Sequence, residues 1–376
     1  MSVRAQAKVG DAAAAIDTPA LVIDLDAMER NIARMAVFAR ERGLRLRPHA
    51  KTHKSADIAR LQCAAGAVGV CVQKVSEAEA LADGGVADLY LSNEVIAEGK
   101  LARVAALARR VRLALAVDSA LGIDRLARAV AHAGSEVEVF VEVEVGQGRC
   151  GVTPVEAGRL ARQVVAHPGL SFAGLQAYHG GAQHLRSAAE REAAIRHAVG
   201  AASAARAAVT SLGVACPLVT GAGTGSFVFE AASGIYGELQ AGSYVFLDRD
   251  YADNEPAPGA PAFEHALFVA TQVLSRSAAH AVVDAGHKSH AIDSGLPRVW
   301  RRDDIEFANG GDEHGILRLR HGASGKLPGL GERLWLVPGH CDPTVNLHDH
   351  YVGLRGGLDA GTVESVWPVT ARGCVT

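Results

Sequence analysis

Over its first 250 residues the chain alternates short runs rich in aliphatic residues with longer stretches rich in alanine and arginine. Strands that alternate with helices imply parallel β-strands joined by right-handed crossovers. The spacing predicts strands at 20–24 (ALVID), 44–48 (LRLRP), 68–72 (VGVCV), 88–92 (DLYLS), 112–117 (RLALAV), 137–143 (VEVFVEV), 172–177 (FAGLQA), 217–220 (PLVT) and 237–240 (GELQ). Helix starts fall between them. Asp26 can cap a helix that runs to Arg42 and ends at Gly43, Ser76 and Glu79 have the spacing of a capping box, and Thr153-Pro154-Val155-Glu156 offers an N-cap followed by proline. A closed eight-fold barrel needs one strand fewer than this series supplies. An open doubly wound sheet tolerates the surplus. The regular repeat and a late glycine-rich loop, where barrels often bind phosphate, favour the barrel.

After about Tyr251 the texture changes. Residues 254–261 (NEPAPGAP) read as a linker, and β-like runs follow at 267–275, 280–285, 315–319 and 334–337. A second, mainly β domain is therefore expected, and 376 residues suit two domains. The net charge of −3, with both signs interspersed, gives no electrostatic case for nucleic acid or an anionic membrane, and 5% aromatics are too few for base stacking. The opening sixteen residues lack the apolar core of a secretory leader, and no run of about 18 apolar residues offers a membrane span. Six scattered cysteines suit free thiols in the cytoplasm better than a disulfide frame.

Five segments could carry chemistry. In Arg47-Pro48-His49-Ala50-Lys51-Thr52-His53-Lys54, Lys51 lies just past a strand, at the end where parallel barrels build active sites. An amine there can form a Schiff base if burial or neighbouring cations lower its pKa, although the segment alone reads more plainly as a solvated basic turn. The loop Thr220-Gly221-Ala222-Gly223-Thr224-Gly225-Ser226 can wrap backbone amides around a phosphate, or be a plain glycine loop. Near the C-terminus, Gly339-His340-Cys341-Asp342 opens a stretch with His348, Asp349 and His350. Imidazole and carboxylate two residues apart face one way on an extended segment and suit Zn²⁺, Mn²⁺ or Mg²⁺; a polar loop is the alternative. Tyr178-His179-Gly180-Gly181-Ala182-Gln183-His184 follows a strand with groups able to act as acid, base or stacking face. Finally, Gly146-Gln147-Gly148-Arg149-Cys150-Gly151 presents one arginine from a glycine-lined turn.

Together, Asp17-Thr18-Pro19-Ala20-Leu21-Val22-Ile23-Asp24, the Pro48–Lys54 box and the Pro338–Asp342 box resemble D-threonine aldolases. More broadly the chain is similar to the alanine-racemase-type pyridoxal-phosphate enzymes, whose relatives include 3-hydroxy-D-aspartate aldolase and eukaryotic-type D-serine dehydratase. The resemblance runs from about residue 17 to beyond 350.

It implies an α/β architecture, an eight-stranded parallel β/α barrel over 25–250, with a mainly β domain formed by 1–24 and 251–376. Lys51 would hold pyridoxal phosphate. Gly223, Thr224 and Gly225, with Gly242, Ser243 and Tyr244, would contact its phosphate; Gln73 and Tyr178 would contact the cofactor further, and Arg149 would reach the phenolic oxygen of the ring. His340 and Asp342 would bind the metal, and His184 would stand near the substrate hydroxyl as first choice of base, with His53 or water as alternatives. The dehydratase branch typically carries cysteine where this chain has Asp342. An oxygen ligand favours Mn²⁺ or Mg²⁺ over Zn²⁺, and the aldolase reaction over dehydration. The expected activity is cleavage of a β-hydroxy-D-amino acid to glycine and an aldehyde in a homodimer. Against it stand 3-hydroxy-D-aspartate as the substrate, D-serine dehydration, racemisation, and a non-catalytic cofactor carrier.

Overall fold

The structure is a computed structural model that describes residues 5–376. Residues 1–4, part of the opening stretch read for a leader, lie outside them. The strands are β1 (Ala20–Asp24), β2 (Arg45–Leu46), β3 (Val70–Val72), β4 (Asp88–Glu94), β5 (Arg112–Val117), β6 (Val137–Glu142), β7 (Leu170–Ala177), β8 (Val219–Gly221) and β9 (Glu238–Leu239). They continue with β10 (Leu267–Arg276), β11 (Ala281–Val283), β12 (Arg298–Val299), β13 (Ile305–Asn309), β14 (Gly315–Leu319), β15 (Arg333–Val337), β16 (His350–Arg355) and β17 (Thr362–Pro368).

Strands β2 to β9 form one eight-stranded parallel sheet in the order β2-β9-β8-β7-β6-β5-β4-β3. The ring closes where Cys71 N donates to Pro48 O (2.8 Å) and Ala50 N to Cys71 O (2.7 Å). The strand residues explain why a barrel forms. In β5, Leu113, Leu115 and Val117 join the layer packed against the helices, while Ala114 and Ala116 point inward with Cys71, Tyr90 and Phe140. Both faces are buried, so the strands read as near-continuous apolar runs. Two bulky rings among small residues fill the narrow interior. Toward its wall the interior turns polar: Tyr90 Oη donates to Gln176 Oε1, Gln240 Nε2 to Thr220 Oγ1, and Thr220 Oγ1 to Glu238 Oε1.

The surplus strand is β1. It pairs antiparallel with β10 and parallel with β16, in a nine-stranded sheet whose main path is β13-β14-β11-β10-β1-β16-β17. A shared core ties this sheet to the barrel. Leu46, Ala222 and Leu239 from the barrel cluster with Val269, Leu336 and Tyr351 from the second sheet, and with Met28, Met35 and Phe38 of the helix Leu25–Glu41.

Three local expectations are corrected. The first helix is capped by Asp24, whose Oδ1 accepts from Ala27 N (3.0 Å), while Asp26 pairs with Arg355. The third helix begins at Val75 rather than after Ser76, because the Glu77 carboxylate accepts from the amides of Gln73 and Lys74 (2.9 and 3.2 Å). Residues 341–345 form a short helix, so the His340–Asp342 stretch is not extended.

Candidate active site

The open C-terminal end of the barrel holds a cavity of about 510 Å³. Each wall residue stands at the end of a strand or on the loop that follows it, the place where a parallel barrel exposes side chains without disturbing its ladder. Lys51, Gln73, Arg149, Tyr178, His184, Gly223, Thr224, Gly242 and Ser243 all line it. Gly225 and Tyr244 do not. Gly225 N is taken by Gln183 Oε1 (2.9 Å), and the Tyr244 ring is fully buried with its hydroxyl accepting from Gln62 Nε2 (3.1 Å). His53 also lies outside the wall. Its ring is fully buried, with Nε2 against Gln62 Oε1 (3.2 Å) and Nδ1 accepting from Ser55 N (3.1 Å), so it does not reach the cavity as a base.

At the floor the Lys51 ammonium pairs with the Asp342 carboxylate, which arrives from the second domain. Burial works against the Lys51 charge, but Asp342 outweighs it and holds the amine above its ordinary value. Burial likewise works against the Asp342 charge, and the Lys51 and His340 cations hold that carboxyl well below the usual carboxylate range. His49, beneath, is kept neutral by burial and then by the Lys51 charge. Its Nδ1 accepts from Lys51 N (3.3 Å), and its Nε2 meets Gln73 Nε2 (2.8 Å).

Asp342 also shows that a cation fits here. Its Oδ1 is buried without a hydrogen-bond partner and faces His340 Nε2 at 3.6 Å. The other ring nitrogen of His340 bonds Asp293 Oδ2 (3.1 Å), the outer carboxylate that typically orients a metal-bound imidazole. His348, Asp349 and His350 do not join them: His348 Nε2 bonds Ser289 O, Asp349 pairs with Arg372, and His350 opens β16. Cys341 is buried, its amide donating to Asp248 Oδ2 (2.9 Å).

A phosphate fits the opposite wall. The amides of Gly223, Thr224 and Gly242 make no hydrogen bond to the described residues. Thr224 Oγ1 accepts from Tyr244 N (3.0 Å) and so clips the two loops together. A Cβ on Gly242 would lie 2.7 Å from His49 O and 2.8 Å from Thr52 Oγ1, which is why glycine stands there. Between the two ends, the Arg149 guanidinium lies 5.7 Å from the centre of the Tyr178 ring. Glu144 organises that turn, accepting from Gly148 N (2.8 Å). Behind Arg149, Glu142 lies 3.8 Å away, and burial with the neighbouring Glu94 carboxylate pushes its carboxyl up to about 9. Glu94, Asp118 and Cys150 also bring ligand atoms within 4.8 Å of one another.

On the far side His184 Nδ1 meets Asp250 Oδ2 at 2.6 Å, and Arg186 holds the other oxygen of Asp250. Sequence reasoning missed Asp248, Asp250, Asp293 and Arg186. The only signal was position, since Asp248-Arg249-Asp250-Tyr251 closes the barrel segment and so emerges at its catalytic end.

A closed parallel barrel with a lysine on its first strand loop, completed by a second β sheet, defines an alanine-racemase-like protein. Residues 23–250 match the family model described as alanine racemase, N-terminal domain, and residues 266–354 match a putative serine dehydratase domain. The chain is 46% identical over 366 residues to a 3-hydroxy-D-aspartate aldolase of Paracoccus denitrificans (strain Pd 1222), covering 95% of this chain and 92% of that one. It is 45% identical to a D-threonine aldolase of Arthrobacter sp, covering 98% and 96% of the two chains. Its fold superposes on the crystal structure of D-threonine aldolase from Filomicrobium marinum with a TM-score of 0.96, at 48% identity and over 100% of both chains. The chain belongs to the family of D-threonine and 3-hydroxy-D-aspartate aldolases. Among the described residues no helix is long and apolar enough to cross a membrane.

Proposed function

We propose that the protein is a carbon–carbon lyase that cleaves β-hydroxy-D-amino acids, D-threonine being the type, to glycine and an aldehyde. It would carry pyridoxal phosphate on Lys51 and a divalent cation, Mn²⁺ or Mg²⁺ ahead of Zn²⁺, on His340 and Asp342. The observation that carries this reading is the Lys51–Asp342 contact, in which the amine proposed to bear the cofactor, on the cavity wall, meets the carboxylate proposed to bind the cation, just outside that wall. The cofactor, once bound, supplies an electron sink for the pair left on Cα, and the cation supplies positive charge for the β-oxygen.

The chain's own residues do the rest. The amides of Gly223, Thr224 and Gly242, with Ser243 beside them, would hold the phosphate, and Gln73 and Tyr178 would contact the cofactor further. Arg149, over the Tyr178 face, would reach the phenolic oxygen of the pyridoxal ring. Asp293 fixes the His340 ring so that its other nitrogen faces Asp342. His184 Nε2 takes the β-hydroxyl proton as the Cα–Cβ bond breaks, and Cα is then protonated to give glycine.

The relative named 3-hydroxy-D-aspartate aldolase supports a second reading of the side chain, with glyoxylate as the aldehyde. Asp342, in place of the dehydratase branch's cysteine, supports cleavage over loss of ammonia. A cytoplasmic homodimer belongs to the same reading, and six free thiols support the compartment.

Incubation with D-threonine, D-serine and 3-hydroxy-D-aspartate, with and without Mn²⁺, tests it. Metal-dependent glycine with acetaldehyde or glyoxylate is expected. Ammonia and a keto acid would mean a dehydratase, and cofactor binding without turnover of any of the three would mean a carrier.

A further inference from the structure

Resting on the lyase reading, we infer that Asp250 is a positioning residue for the reaction: it fixes the tautomer and angle of the His184 ring, and Arg186 fixes Asp250 in turn. The hydrogen bond between His184 Nδ1 and Asp250 Oδ2 is 2.6 Å, within the range of a charge-assisted contact. Asp250 is nearly fully buried and is held anionic: burial works against its charge, but the His184 and Arg186 bonds keep it down at about 2. A permanent carboxylate at Nδ1 takes that nitrogen's proton as a donor. Nε2 is left as the lone-pair nitrogen, with no partner among the described residues, on a ring that lines the cavity. That is the tautomer a base needs at Nε2, because a ring protonated there cannot accept the hydroxyl proton.

The backbone around Asp250 gives the arrangement a second consequence. Arg249 N donates to Pro338 O and Asp250 N to Gly339 O (both 3.1 Å), while Asp248 accepts from Cys341 N. Residues 248–251 thus tie the segment that carries His340 and Asp342 to the same turn that orients His184. The spacing of base and cation is set by one short stretch, and Tyr251 of that stretch lies with its ring 5.9 Å from the His184 ring.

The test has two arms. In the protein without added cofactor, ¹⁵N NMR of His184 reads the tautomer. Nδ1–H is expected in the native protein, and an Nε2–H or mixed population in Asp250→Asn. In the loaded enzyme, Asp250→Asn is expected to lower kcat about 100-fold or more with KM changed less than about threefold, Asp250→Glu to recover part of the loss, and the double variant Asp250→Asn/His184→Ala to be no slower than His184→Ala alone. An unchanged tautomer in Asp250→Asn, or losses in the double variant that multiply, would overturn the proposal. Native enzyme that forms no glycine from either hydroxy-amino acid would overturn the lyase reading instead, while the tautomer measurement still stands on its own.

Discussion

Lys51 and Asp342 press opposite charges together from two domains, and each half of the pair predicts a different loss. Removing the amine, in Lys51→Ala, takes away the group proposed to bond the cofactor. Visible absorbance from bound pyridoxal phosphate and all glycine formation should disappear together. Asp342→Asn removes the negative charge offered to the cation but leaves the amine, so the absorbance should persist while turnover falls at least about 100-fold, above the loss typical of outer ligands. Glu142 carries a pH signature. Its carboxyl is raised from 4.5 to about 9, chiefly by burial, so the folded state keeps a proton that the unfolded chain releases. Stability from this group is full below about pH 4.5 and declines as pH rises through about 9. Glu142→Gln, neutral in both states, should flatten that decline in urea titrations across pH 5 to 9. Lys51 and Tyr178 were legible as wall residues because each follows its strand within a few residues, whereas Gln73 came from the family resemblance alone. Asp250 and Asp293 were not, being single carboxylates that gain meaning only when folding brings them to His184 and His340. His53 misled because a basic box does not reveal where its turn reverses; Lys54, at φ 48°, is that point.

At the scale of elements, the strands buried on both faces were the readable ones. β5 was expected at 112–117 and is found there, since its two faces are filled by Leu/Val outside and Ala inside. β2 and β9 are only two residues long, because the chain leaves the ladder early to place Lys51 and the Gly242–Ser243 turn on the cavity wall. Caps were read less well: serine, threonine and aspartate are frequent, and only the folded loop decides which of them meets a free amide. Where the box is present its cost is testable. Ser187 Oγ accepts from Glu190 N (3.2 Å) at the start of the helix Ala188–Ser211, directly after the Arg186 loop. Ser187→Ala should cost about 1 kcal/mol in urea unfolding with turnover nearly unchanged. Gly242→Ala should behave in the opposite way. Its Cβ meets His49 O at 2.7 Å, so it should cost about 1 to 3 kcal/mol and also weaken cofactor affinity in an absorbance titration.

The whole molecule has two sheets but one core between them, and that decides how it comes apart. Leu46, Ala222 and Leu239 of the barrel and Val269, Leu336 and Tyr351 of the second sheet bury the same apolar surface, and Tyr351 Oη donates to His53 O across the boundary. Freeing either half would expose that surface at about 25 cal/mol per Å², so a half-folded chain is costly. The sequence distributes two probes for this. Trp300, Trp335 and Trp367 all lie in the second half, whereas every helix of nine residues or more ends by residue 211. Tryptophan fluorescence therefore follows the second domain and helical circular dichroism follows the barrel. The two urea curves are expected to coincide, and Met28→Ala, which opens a cavity in the shared cluster, should move both by about 2 to 5 kcal/mol. Adding Mn²⁺ to about 100 times its dissociation constant should raise both curves by about 2.7 kcal/mol, and raise neither in Asp342→Asn. The cation would bind only residues of the second domain, so a rise in the dichroism curve measures the coupling itself. Curves that separate, with Mn²⁺ shifting fluorescence alone, would mean that the core does not join the halves, and the pairing of Lys51 with Asp342 would then rest on side chains rather than on the fold.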